Sequence, residues 1–147
     1  MCVADDWNEP DNNETLILRI RNGQVEHWRD SMMYAGMVGI WFVDTGKVFL
    51  CGGGLVRSYH KGQWKIHYPP FNGFPRAIRG TGFNDVFIAG DFGAIQHWNG
   101  KTWKYYPDPA PYDQDFVVRH ISSIHNNVYL AGNDNAAIWY VIHGRRE

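Results

Sequence analysis

RAIRGTGFNDVFIAGDFGAIQHWNGKTWKYY, residues 76–106, is the stretch on which the fold turns. It divides into four short strand signals separated by turn residues. Ala77-Ile78-Arg79 comes first and is closed by Gly80-Thr81-Gly82. Val86-Phe87-Ile88-Ala89 is a continuous apolar run, as expected of a strand covered on both faces. Ala94-Ile95-Gln96-His97-Trp98 alternates, and Asn99-Gly100 supplies the left-handed conformations of a tight hairpin turn. Thr102-Trp103-Lys104-Tyr105 then returns as an outer edge. The stretch reads as a complete four-stranded antiparallel module.

The rest of the chain repeats it less completely. GIWFVDTGKVFLCGGGLVRSYHKGQWKIHY from Gly39 and ISSIHNNVYLAGNDNAAIWYVIHG from Ile121 align with it, as does the first run from Met1. Val48, Val86 and Val128 open equivalent strands, and Trp64 and Trp103 close equivalent strands, at a period of about forty residues. Four strands per forty-residue repeat is the signature of a propeller blade. Helical spacing of three and four is absent. The blade segments are 1–30, 38–68, 76–106 and 118–144. The first run has no innermost strand and the last no outermost one. The expected fold is therefore all-β, a partial β-propeller of about 3.5–4 four-stranded antiparallel blades. Because a ring must close or leave sheet faces and edges bare, completion by dimerisation into about eight blades is expected. The alternative is a fragment of a larger secreted propeller protein or enzyme.

Composition narrows the classes of function. Among 147 residues are 7 Trp, 8 Tyr, 8 Phe and 16 Gly, a mixture that favours short strands and tight turns. A formal net charge of -1 provides no global field for nucleic acid or an anionic membrane. No segment has the length of a membrane-spanning helix. MCVADDWNEP has neither the basic nor the apolar region of a signal peptide. Cys2 and Cys51 make no disulfide framework and no metal knuckle, and are read as free thiols buried in strands.

The motifs Asn84-Asp85-Val86-Phe87, Ala89-Gly90, Gly93-Ala94-Ile95 and His97-Trp98-Asn99-Gly100, with Trp103, resemble a repeat of bacterial β-propeller proteins. That repeat reads roughly Trp-Gly, Asn-Asp-Val-Tyr, Ala-Val-Gly, Gly-x-Ile, His-Tyr-Asn-Gly-x-x-Trp. This chain departs from it at the first strand of each module, where Arg79-Gly80, Trp41-Phe42 and Ser122-Ser123 replace Trp-Gly. The resemblance implies an extracytoplasmic binding or scaffolding platform and carries no catalytic residues to transfer.

The residues themselves point the same way. Seven histidines are present, but without HExxH or regular ligand spacing, so no metal, cofactor or catalytic residue is expected. Gly52-Gly53-Gly54 follows a strand and precedes another, so it lacks the helix dipole of a phosphate loop. The repeated aromatics Trp64, Trp98, Trp103, Tyr59 and Tyr140 read as core. The loops of one face carry aromatic and acidic or amide side chains, and Asp5, Asp6, Trp7, Phe71, Asp91, Tyr112, Asn133 and Asp134 are the ligand-binding candidates. Such a face suits carbohydrate or peptide, while the same residues also serve as ordinary turn residues. The expectation is a non-enzymatic binding or scaffolding module that self-associates as a homodimer; a lectin-like propeller is the alternative. An enzyme would need titratable groups in the central channel, where Arg79 and His120 are the only seeds.

Overall fold

The computed structural model describes residues 2–5, 14–34, 36–44, 46–106 and 115–145, and among them the chain forms fourteen strands in four antiparallel sheets. The first sheet contains β1 (Cys2–Asp5), β2 (Glu14–Arg21) and β3 (Gln24–Tyr34). The second contains β4 (Met37–Asp44), β5 (Lys47–Gly52), β6 (Leu55–His60) and β7 (Gln63–His67). The third contains β8 (Pro75–Gly82), β9 (Asp85–Gly90), β10 (Ile95–Trp98) and β11 (Trp103–Tyr106). The fourth contains β12 (Val117–Ile124), β13 (Asn127–Asn133) and β14 (Trp139–Arg145). In every sheet the strands are hydrogen-bonded in chain order.

Each pair of consecutive sheets encloses its own core. Ile17, Met37, Val48 and Leu50 fill the first. Trp41, Phe49, Cys51, Val56, Ile78, Val86, Ile88 and Trp98 fill the second. Phe87, Ala89, Ile95, Phe116, Val118, Ile121, Val128 and Leu130 are among those in the third. The unbroken apolar runs of β5 and β9 follow from this arrangement, because their successive side chains enter cores on opposite sides. At about 1.5–3 kcal/mol for each fully buried large apolar side chain, these cores dominate the stability.

Two backbone features recur from sheet to sheet. The inner strands β4, β8 and β12 each carry a bulge at the same place, centred on Val38, Arg76 and Arg119. Opposite each bulge lies a glycine at or next to the end of the neighbouring strand: Gly52, Gly90 and Gly132. A Cβ at those glycines would overlap the carbonyl oxygens of Gly36, Phe74 and Val117 respectively, so close approach of backbone to backbone dictates the residue.

A side-chain device also recurs. His97 stacks on Phe87 with centroids 4.2 Å apart and donates to Asp85 Oδ1 at 2.8 Å. His143 stacks on Tyr129 at 4.8 Å and donates to Asn127 Oδ1 at 2.9 Å. In the second sheet Ser58 lies opposite Phe49 and is bonded to His67 Nε2 at 2.8 Å. His67 is buried and meets Trp98 edge-on at 5.1 Å.

Asn22-Gly23 and Lys61-Gly62 form tight turns with positive φ at both residues. Asn99-Gly100 does not: residues 99–102 make a longer loop, with only Gly100 at positive φ. The Asn99 side chain accepts from the amides of Lys101 and Thr102, both at 2.9 Å, and so stabilises the wider turn in place of the expected two-residue one.

His67 makes the second core sensitive to acid. Burial, reinforced by the charge of Lys65, holds it below the ordinary histidine range. The folded protein then takes up this proton less readily than the unfolded chain. Its contribution is complete above about pH 6.5 and is lost as pH falls below that value. Thermal melts should show lower stability at pH 5 than at pH 7, and His67→Gln should narrow that difference. An unchanged difference in the variant would remove His67 as the cause.

Candidate functional site

The three bulges open onto one place. An open groove of about 210 Å³ runs along the inner strands and is lined by three equivalent triplets together with Arg79. The triplets are Val38-Gly39-Ile40, Arg76-Ala77-Ile78 and Arg119-His120-Ile121. A bulge re-aims the side chain it carries, and here each one places its extra residue on the groove wall. The β4 side is apolar, whereas the β8 and β12 sides bring three guanidinium groups and one imidazole.

Two of those guanidinium groups are held from behind. Arg76 donates to both oxygens of Asp91, at 2.8 and 3.3 Å, and its charge lies over the Phe74 ring at 5.7 Å. The hydrogen bond to Asp91 raises Arg76 further above an already high pKa. Asp91 also accepts from the Phe74 amide at 3.2 Å, which ties the loop before β8 to the turn after β9. Arg119 repeats the arrangement one sheet later, donating from Nε to Asn133 Oδ1 at 2.6 Å. Asn133 is neutral, so the charge of Arg119 is left uncompensated by it. Arg79 is exposed and reaches no acceptor among the described residues. No carboxylate lines the groove among the described residues.

The candidates from the sequence fall into distinct places. Asp91 and Asn133 are the residues that hold Arg76 and Arg119. Asp134 accepts from the Ile138 amide at 3.0 Å and from the Tyr140 hydroxyl at 3.1 Å, closing the turn between β13 and β14. Phe71 packs against the second core. Asp5 ends β1 opposite Thr15. Asp6, Trp7 and Tyr112 lie outside the described residues, as do Pro107 through Pro111. Arg79 and His120 do meet at the groove, together with two arginines that the sequence reading passed over. The available signal was the four-residue pattern x-Arg-x-Ile, present as Pro75-Arg76-Ala77-Ile78 and Val118-Arg119-His120-Ile121.

Other reactive-looking groups offer no open site. Ser58 and His67 form a pair enclosed between the second and third sheets. Burial pushes the Cys51 thiol up to about 12, so it is not a thiolate near neutral pH. Among the described residues, no three His, Cys, Asp or Glu side chains come together as a metal site, and no helix is long and apolar enough to cross a membrane.

No family model matches the chain, and no curated protein matches it either. A solved structure does: YCF48 bound to D1 peptide, with a TM-score of 0.66 at 14% identity, over 94% of this chain. The fold is a β-propeller. The chain spans 46% of that propeller protein's length, a little under half. In propeller terms β4, β8 and β12 are the innermost strands of their blades, and the cationic groove follows their inner edge.

Proposed function

We propose that this β-propeller chain is a non-enzymatic binding module whose inner groove takes a peptide bearing carboxylate side chains. One observation carries the reading: Arg76, Arg79, Arg119 and His120 converge from adjacent blades on a groove whose described lining holds no acid. Arginine presents a planar fork matched to carboxylate geometry. Arg76 and Arg119 are already oriented, so less side-chain entropy is lost on binding. Val38 and Ile40 offer an apolar wall for the neighbouring residue of the ligand. That a structurally similar propeller has been solved with a peptide supports the choice of ligand class.

The test is an anisotropy titration of a labelled peptide containing Glu and Leu against its Gln and Leu counterpart. The acidic peptide should bind more tightly, with an affinity that falls as salt is raised. Arg79→Ala and Arg119→Ala should each weaken it about tenfold, as expected for loss of a charged hydrogen bond. Equal binding of the two peptides, or no loss in either variant, would sink the reading.

In this reading the chain also self-associates. A chain matching a little under half of a propeller is suited to pairing with another copy into a ring of about eight blades. In such a ring the inner groove would face the common channel.

A further inference from the structure

Among the described residues the last sheet has one open face. Val128 and Leu130 of β13 enter the third core, so Tyr129 and its strand partners point the other way. The burial of β13 alternates for this reason, whereas β9, its equivalent one blade earlier, is buried on both sides. On the open face Tyr129 is 40%, Trp139 62% and Val141 72% exposed.

The chain itself shows what such a face is built to receive. Tyr129, His143 and Asn127 reproduce the stack and hydrogen bond of Phe87, His97 and Asp85. The fourth sheet covers Phe87, which is 6% exposed and part of the third core. The same device in the fourth sheet has no such cover among the described residues. At the other end of the chain Ile17 is turned into the first core. Ile20 and Val25, paired across β2 and β3, lie on the opposite face and are 58% and 51% exposed.

We infer that the open face of the last sheet docks the open face of the first sheet of a second copy of this chain. The contact repeats the blade-to-blade step already made three times within the chain. It is head-to-tail, and two such contacts about a two-fold axis cover both faces on both copies. This inference rests on the self-association reading and adds the surfaces that carry it.

Light scattering should give the wild-type chain about twice its 17.0 kDa mass. Val141→Lys and Ile20→Lys, both at exposed positions that tolerate a lysine in the monomer, should each weaken association at least a hundredfold. Tyr68→Lys, at an exposed position on neither face, should leave it unchanged. A wild-type dimer that survives both face variants would overturn these surfaces and leave self-association standing. A wild-type monomer at every soluble concentration would overturn both. Should a lysine variant misfold, mixed Val141→Cys and Ile20→Cys chains provide a second measurement under mild oxidation with copper phenanthroline. They should cross-link to twice the mass, and Val141→Cys with Tyr68→Cys should not. Absence of the first product would overturn the docking.

Discussion

Gly90→Ala should lower the unfolding free energy by about 3 kcal/mol, the upper end of the range for overpacking. The φ of Gly90, near -176°, lies outside the left-handed region that favours glycine. The cost is spatial. A Cβ at this position overlaps the Phe74 carbonyl and stands 2.8 Å from the Arg76 amide nitrogen. Both contacts are backbone, so no rotamer change relieves them; the bulge of β8 itself must move. Arg76 is the bulge residue, so its side chain would be displaced with the backbone. Chemical denaturation should therefore report the stability loss, and the peptide titration should report weakened binding in whatever fraction remains folded. Full stability in the variant would mean that the bulge yields freely. Gly54, which has no atom within reach of a Cβ, is the position to compare, although its φ of +76° carries its own strain.

Phe49→Ala should cost about 3–5 kcal/mol, the range for emptying a buried aromatic site. Phe49 is fully buried at the centre of the second core, 5.0 Å from the Phe83 ring and 6.1 Å from that of Trp41. Its neighbours come from two separate sheets, so collapse of the cavity would require one blade to shift against the next. That limits relaxation and places the expected loss toward the high end. Phe49→Leu, which retains more of the volume, should lose much less. The comparison by thermal and urea unfolding separates cavity from chemistry, and similar losses for the two would argue against a cavity effect.

The architecture was legible because the repeat is written in hydrophobic pattern and turn residues. Val86 through Ala89 reads as doubly covered, and the structure covers it on both sides. That the first and last runs hold three strand signals each was legible in the same way, and among the described residues the first and last sheets have three strands. The groove was less accessible. The first strand of residues 76–106 reads as three residues from Ala77, whereas β8 begins at Pro75 and includes Arg76. A bulge inserts a residue that breaks the two-residue alternation, so side-chain direction cannot be read through it from pattern alone. Asp91 and Asn133 stood out as polar residues at loop positions. Nothing in a linear sequence distinguishes a loop carboxylate that meets solvent from one that grips an arginine fifteen residues earlier.

The repeated bulge has a consequence for how such a chain can change. One backbone slot, fixed by a glycine across from it, holds valine in the second sheet and arginine in the third and fourth. The side chain in the slot contributes to the groove and little to the cores that hold the blades together. The lining of the groove and the folding of the blade are thus written at different positions of the same strand. Substitutions can accumulate in the three slots one charge at a time, resetting the charge of the groove while each blade keeps the register that defines it.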